Sequence, residues 1–294
     1  MPKKQRRRPP AQARRNKLKP GSIVAEVPVS TLETIFKRVP LLAEFHPRDF
    51  RIRPLPGFTN HNFHLQNNEH DWVLRIPKPE TNQTINRQHE VHNARLANSL
   101  EIAPDNVWCD KSGLSLSVCL ADSRSISTND MDNQTTLGKL LKTICRLHGS
   151  KNKFHGTVDL AELLSHYYEQ VPGHLQNQIE PSYRIAIAKL EGLSDIERIL
   201  VPSHNDLVLE NILIDTTGKI WLIDWEYSSM VSPYWDLATL CNAAKLDQTQ
   251  CAWLITEYGN HCLNLVPEIL FDYRYMLDVL STCWMAVFGE TDGI

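Results

Sequence analysis

The chain has 294 residues, 42% of them hydrophobic and 22% charged, with a net charge of −3. That is a globular composition, long enough for one large or two smaller domains, and it excludes a collagen, a coiled coil or a wholly disordered chain. No apolar run approaches the ~18 residues of a membrane-spanning helix. No apolar stretch follows the basic start either, so a secretory signal is not expected.

The charge is unevenly spread. Nine of the 31 basic residues (Lys3, Lys4, Arg6, Arg7, Arg8, Arg14, Arg15, Lys17 and Lys19) lie in one acid-free stretch, leaving 22 against 34 acids, net −12, for the rest. An acidic body repels nucleic acid and attracts cations. Residues 1–22 are expected to form a disordered basic tail, either a solvated extension or a weak contact for RNA or anionic lipid. The seven cysteines are odd in number and contain no Cys-x-x-Cys, which suggests neither a zinc cage nor a disulfide framework. A reducing, cytoplasmic location is the expectation.

In chain order, 30–36 predicts a short helix capped by Ser or Thr with Glu33 three residues on. Arg51 to Leu55 reads as a strand before a Pro56-Gly57 turn, and 62–66 and 72–77 read as a hairpin around a polar connection. Residues 84–100 predict a helix with Ile85, His89, His92, Leu96 and Leu100 along one face. Strands follow at 107–108 and 114–119, joined by a turn at 110–113. Together these imply a small mixed sheet with one helix. The second half is mainly helical, with helices expected at 135–148, 158–171, 181–192, 236–245, 247–259 and 268–288. One β-hairpin, 211–215 with 219–224, interrupts them. The division expected is a tail (1–22), a sheet-rich lobe (23–120) and a helical lobe (121–294).

The chemistry concentrates around that hairpin. His204-Asn205-Asp206 precedes it, Asn211 opens its first strand, and Asp224 ends its second after four apolar residues. The hairpin thus brings three oxygen-bearing side chains to one sheet edge. A carboxylate with an amide oxygen suits Mg²⁺. The remaining Asp can orient a hydroxyl and accept its proton. Asp, four residues, Asn and a later strand-terminal Asp is also the phosphoryl-transfer layout of kinases, with Asp224-Trp225-Glu226 in place of Asp-Phe-Gly. The first half is then expected to hold the nucleotide. The turn at Gly57 permits close backbone approach, although it has one glycine where protein kinases have three. Thr59 and Asn60 can donate to phosphate oxygens, and Arg75 stands where a kinase carries its phosphate-pairing lysine, with Glu90 as its ion-pair partner. Neither His61 with His64 nor His89 with His92 is expected to bind metal: the first pair straddles a strand and the second lacks a third ligand. No Gly-x-Ser-x-Gly elbow supports a serine hydrolase.

These residues resemble the choline kinase family, in its choline/ethanolamine kinase and bacterial thiamine kinase branch, within the aminoglycoside phosphotransferase-like group. The resemblance spans roughly residues 50–290. It rests on Gly57-Phe58-Thr59-Asn60, Val73-Leu74-Arg75-Ile76, Asn86-Arg87-Gln88-His89-Glu90, His204-Asn205-Asp206-Leu207 with Asn211, and Ile223-Asp224-Trp225-Glu226-Tyr227 followed by Asp236-Leu237-Ala238. It implies an α+β, two-lobed, protein-kinase-like fold and an ATP:alcohol phosphotransferase. Asp206 would be the catalytic base, and Asn211 and Asp224 the Mg²⁺ ligands. Gly57, Thr59, Asn60, Arg75 and Glu90 would serve the ATP phosphates, with the adenine hinge at Val118 and Leu120. Asp236 would be a structural partner of the catalytic loop. Choline kinases of this kind place two tryptophans three apart on a late helix as part of an aromatic pocket; here Trp284 is kept and Val287 takes the second place. Trp284 and Tyr227, with Glu226 as an anion, are the acceptor-site candidates. The implied acceptor is a small cationic alcohol, choline or ethanolamine, with a thiamine kinase or another aminoglycoside phosphotransferase-like kinase as the alternative. A reading of another class is a non-catalytic nucleotide-binding protein docked through its basic tail.

Overall fold

Alternating apolar residues in the first half build one five-stranded sheet: β1 (Arg51–Leu55), β2 (Asn60–Gln66), β3 (Asp71–Pro77), β4 (Asn106–Cys109) and β5 (Ser115–Val118). The structure, a computed structural model, describes residues 27–57, 59–79, 85–193 and 199–288, so the expected basic tail at 1–22 lies outside the described residues. The strand order is β1-β2-β3-β5-β4, and every neighbouring pair is antiparallel. The expected mixed sheet is therefore corrected. The chain runs from β3 through a helix to β4 at the edge, and the turn at 110–113 folds β5 back between them. A hairpin strand inserted there is antiparallel to both neighbours.

The two faces of this sheet differ. Phe63, Leu65, Leu74 and Leu116 point one way and pack under α1 (Val29–Arg38), whose Leu32, Ile35 and Phe36 complete a small core. Asn62, Arg75 and Ser115 share a register row on the other face, and Arg75 reaches the larger lobe from there. The α1 cap also differs from expectation. Pro28 is the N-cap, and its carbonyl accepts the N–H groups of Thr31 and Leu32, so Ser30 already lies inside the first turn.

The helix α2 (Arg87–Ser99) is capped by Asn86, whose side chain accepts from the N–H groups of Gln88 and His89. Its buried stripe is not the expected face of Ile85, His89, His92, Leu96 and Leu100. Arg87, Glu90, Asn93 and Ala97 are the buried positions. The period was right but the face was not, because ion pairing and hydrogen bonding satisfy the polar residues that this helix turns inward. Asn86→Ala is expected to lower stability by about 1 kcal/mol, the usual worth of such a cap. A shift of the urea midpoint with an unchanged slope measures it.

After β5 the chain crosses to the larger lobe. There β6 (Arg124–Ser125) joins the hairpin strands β8 (Ile212–Ile214) and β9 (Ile220–Leu222) in the order β6-β8-β9. A second small pairing joins β7 (Val201–Ser203) to β10 (Ser229–Val231). The helices are α3 (Thr128–Met131), α4 (Gln134–His148), α5 (Leu160–Gln170), α6 (Gly173–Glu191), α7 (Pro233–Ala243), α8 (Gln248–His261) and α9 (Pro267–Phe288). Helix α6 begins well before the expected residue 181 and carries Pro181 in its interior. The larger core is built from Leu140, Leu141, Ile144, Leu164, Leu237, Leu254 and Met276 with their neighbours, and Ala97 at the end of α2 joins it. No helix among the described residues is long and apolar enough to cross a membrane.

Candidate active site

The loop after β7 is fixed by one carboxylate. Asp236, fully buried in the first turn of α7, accepts the backbone N–H of His204 at 2.9 Å and of Asn205 at 2.7 Å. It also accepts Nε2–H of His148 at 3.0 Å. Burial opposes the Asp236 charge, but His148 and the loop N–H groups overcome it and hold the carboxyl below its ordinary value. The His204 ring lies 2.9 Å from the Ile223 carbonyl oxygen, tying the loop to the segment before Asp224. Asn205 donates to the Tyr227 carbonyl at 2.8 Å and to Ser229 Oγ at 2.7 Å. Asn205 and Asp224 both adopt left-handed backbone, φ 68° and 67°. Such conformations persist only where surrounding bonds over-determine them, and here those bonds are on both sides of each residue.

Asp206, Asn211 and Asp224 come together as the spacing requires. Asn211 ends a short 3-10 turn just before β8, which begins one residue later than the expected strand. Its amide N–H donates to Asp206 Oδ2 at 2.8 Å and to the Asp206 carbonyl at 3.0 Å. The Ile223 N–H donates to the Asn211 carbonyl at 3.0 Å, which sets Asp224 beside it. Burial raises the Asp206 carboxyl above its ordinary value. Burial, with Glu226 nearby, pushes Asp224 up to about 7 against the pull of Arg75. This pocket concentrates negative charge.

Between the lobes runs a chain of alternating charges. Asp224 faces Arg75 at 3.5 Å, and Arg75 pairs with Glu90 as the spacing suggested. Glu90 binds Arg87 at 2.8 Å, and Arg87 reaches Glu226 at 3.3 Å. Glu226 accepts Thr59 Oγ1–H at 2.8 Å and the Asn60 amide at 3.1 Å. Arg87 was missed as a site residue. A charged residue three before a glutamate on one helix face was the signal available.

Thr59 and Asn60 are thus buried with their side chains on Glu226, rather than presented to a phosphate. Glu226 is likewise 7% exposed and spends both oxygens inside the protein, which makes it a bridge between lobes rather than a free anion. Gly57 keeps its expected part in the turn, because a Cβ there would collide with the Asn60 carbonyl oxygen. The Arg75 Nε is buried with no protein partner among the described residues, an orphan that an anionic ligand would satisfy. The carboxylates of Glu90, Asp224 and Glu226 lie close enough to share a cation. Both oxygens of Glu90 and of Glu226 are already bound, however, so Asp224 is the one with room, together with Asn211 and Asp206. Val118 and Leu120 lie where the chain leaves β5 for the other lobe, and the Cys119 N–H between them is spent on the Asp71 carbonyl at 2.9 Å.

The aromatic residues of the helical lobe separate by burial. Tyr234, Trp235, Tyr258 and Tyr273 are core residues, and Tyr234 stacks on Tyr273. Tyr227 is 37% exposed, its carbonyl is held by Asn205 beside Asp206, and burial, with the Glu226 charge, pushes its hydroxyl up. On α5, Tyr167 meets Phe288 edge-on at 6.2 Å. Phe288 in turn contacts Trp284 at 5.5 Å. Tyr167 and Phe288 escaped the sequence reading, because helical aromatics carry no signal of which face they present.

A sheet lobe and a helical lobe meeting across a loop-and-hairpin acid cluster define a protein of the kinase-like class. The chain belongs to the choline/ethanolamine kinase family, whose model matches residues 53–260. It is 30% identical over 249 residues to protein LicA of Haemophilus influenzae, covering 79% of this chain and 91% of that protein. Its fold matches the crystal structure of choline kinase LicA from Streptococcus pneumoniae with a TM-score of 0.78 at 22% identity, over 90% of this chain and 92% of the other. A structure of LicA in complex with AMP matches with a TM-score of 0.72 at 22% identity, over 87% and 90% of the two chains.

Proposed function

We propose that this kinase transfers the γ-phosphoryl group of ATP to the hydroxyl of a small cationic alcohol, choline or ethanolamine. The observation that carries this reading is the exposed Tyr227, three residues after Asp224 and held through its carbonyl by Asn205 beside Asp206, together with the aromatic group Tyr167, Phe288 and Trp284 of α5 and α9. An aromatic wall attracts a quaternary or primary ammonium group through its π-faces. The acidic surroundings add attraction at longer range. The family membership and the AMP complex of a similar LicA protein support the nucleotide half of the proposal.

The residues divide the work by position. Asp206, anchored through Asn211 and the Asp236-bound loop, accepts the proton of the acceptor hydroxyl and aligns its oxygen for attack. Arg75, oriented by Glu90, offers its guanidinium and orphaned Nε to phosphate oxygens. The turn at Gly57 closes over the phosphates with backbone rather than side chains, since Thr59 and Asn60 are spent on Glu226. Val118 and Leu120 flank the base, and the division between lobes falls just beyond them. The donor set fits a hard divalent cation. Asp224 supplies a carboxylate, and Asn211 gives its N–H groups to Asp206, which leaves its amide oxygen for a metal. Mg²⁺ held there would neutralise charge developing on the transferred group.

Turnover with Mg·ATP against choline, ethanolamine and thiamine, with Asp206→Ala as control, tests the proposal. Turnover of choline or ethanolamine that the variant loses supports it, and turnover of thiamine alone refutes the acceptor. Tyr227→Ala is expected to raise KM for the cationic alcohol about tenfold, as loss of a cation–π contact of about 1–2 kcal/mol implies. KM for ATP should stay unchanged, and equal rises in both would remove Tyr227 from the acceptor site.

A further inference from the structure

The buried stripe of α2 serves the ion pairs between the lobes, and a different face of the same helix borders a cavity. Gln88, His92 and Arg95, spaced four and then three residues apart, line it from α2, and Cys109 and Lys111 line it from the end of β4 and the turn that follows. Its volume is about 270 Å³, close to the ~300 Å³ at which pockets for small ligands begin. A neighbouring cavity shares Arg87, Gln88 and Lys111 with it and reaches Asn86 at the helix start. Neither cavity is lined by Arg75, Asp206 or Asp224, so both are separate from the candidate active site.

The charges around the first cavity leave it positive. Arg87, which also lines it, is spent on Glu90, Glu226 and Asn60. Asp110, in the same wall, is spent as well. One of its oxygens pairs with Arg38, and the other accepts the Ser112 N–H at 2.8 Å, the Ser112 hydroxyl at 2.6 Å and the Leu114 N–H at 3.2 Å. Burial pushes the Cys109 thiol up to about 11, which keeps it uncharged at neutral pH. Arg95 and Lys111 are exposed, and neither side chain is held by a carboxylate among the described residues. They set the sign of the cavity, on a chain that carries net −12 outside its first 19 residues. We propose that this cavity is a second anion site, which takes the phosphate group of a small molecule between Arg95 and Lys111. The guanidinium offers paired donors to phosphate oxygens, and the ammonium offers a mobile point charge from the facing wall. Two cations match a phosphate dianion, where a single carboxylate would leave one of them unpaired.

The position links this site to the one between the lobes. Gly113 ends the turn that carries Lys111, at φ 85°, and a Cβ there would lie 2.6 Å from Arg87 Cδ. The turn therefore rests on the stem of Arg87, while the Arg87 guanidinium holds Glu90, and Glu90 holds Arg75. A phosphate that bridges Lys111 to Arg95 ties the turn to α2 across that stem. Because the two walls belong to segments that meet only in the folded chain, bound phosphate stabilises the fold.

Equilibrium dialysis of the full-length chain with labelled orthophosphate and with labelled glycerol phosphate tests the proposal, in the presence of Mg²⁺ and a saturating non-hydrolysable ATP analogue that fills the nucleotide site. This readout does not depend on which alcohol the enzyme takes. The expected result is binding that weakens about tenfold or more in Arg95→Glu and in Lys111→Glu, as loss of a charged hydrogen bond implies. Both side chains are exposed, so both variants are expected to fold. Equal affinity for the two probes assigns the site to free phosphate, and tighter binding of glycerol phosphate assigns it to an organic phosphate. Saturating probe should also raise the urea midpoint of the wild type and leave that of Arg95→Glu unmoved. Binding that the ATP analogue displaces and that both charge reversals leave intact belongs to the nucleotide site and overturns the proposal. Binding that neither the analogue nor the reversals reduce, as the basic stretch at 1–22 would give, overturns it too, and so does the absence of binding at millimolar probe.

Discussion

Asp206→Asn is expected to lower kcat by about 10³-fold, within the 10²–10⁴ that a positioned general base contributes. The substitution is nearly isosteric. Asn211 donates to Asp206 Oδ2 at 2.8 Å, and the amide oxygen of an asparagine accepts the same bond, so the loop keeps its shape. What disappears is the acceptor for the hydroxyl proton and the negative charge that aligns the nucleophile. Because this interaction serves the transition state, kcat and kcat/KM should fall together, with KM for ATP nearly constant. Steady-state kinetics with the alcohol that the wild type turns over, with ADP binding as a check on folding, measure both. An Asp206→Asn enzyme retaining wild-type kcat would refute the base assignment and shift attention to Asp224.

Removing the carboxylate of Asp236 is expected to cost about 3–5 kcal/mol of stability, because it strands three buried donors at about 1–3 kcal/mol each. Asp236→Ala strands the N–H groups of His204 and Asn205 and the Nε2–H of His148 in a site with no access to water. The loop that carries Asp206 loses its anchor at the same time, so turnover should fall as well. Asp236→Asn keeps an acceptor oxygen and should cost less. Their pH dependences also differ. The Asp236 carboxyl is depressed in the folded chain from an ordinary value of 3.8. Its contribution is therefore complete above that pH and is lost as pH falls through the folded value. The gap between wild type and Asp236→Asn should be widest above pH 4 and narrow below it. Urea unfolding across this range measures the gap, and a constant difference would mean that the Asp236 carboxylate carries no depressed pKa.

Much of this architecture is written in local pattern. The helices α4, α8 and α9 lie close to where apolar spacing puts them, because each buries a stripe against a common core. The β8–β9 hairpin follows from an apolar run, a Thr-Thr-Gly turn and a second run. The misses share a cause. The inward face of α2 is polar, and no hydropathy pattern marks a buried arginine whose partner, Glu226, lies far along the chain. The strands β7 and β10 have three residues each, too short to show a period, and exist because they pair with each other. The direction of β3 relative to β5 is likewise a property of the closed sheet rather than of either strand.

Sequence alone determined the order of elements, the spacing of Asp206, Asn211 and Asp224 around one hairpin, the Arg75–Glu90 pair and the family resemblance. Each depends on residues whose relation is set by short-range geometry or by a motif. Tertiary structure decided the rest. It put the side chains of Thr59 and Asn60 onto Glu226. It gathered Tyr167, Trp284 and Phe288 into one aromatic group. A buried donor or acceptor takes whichever partner packing brings within about 3 Å, and that choice is made only when distant segments of the chain meet.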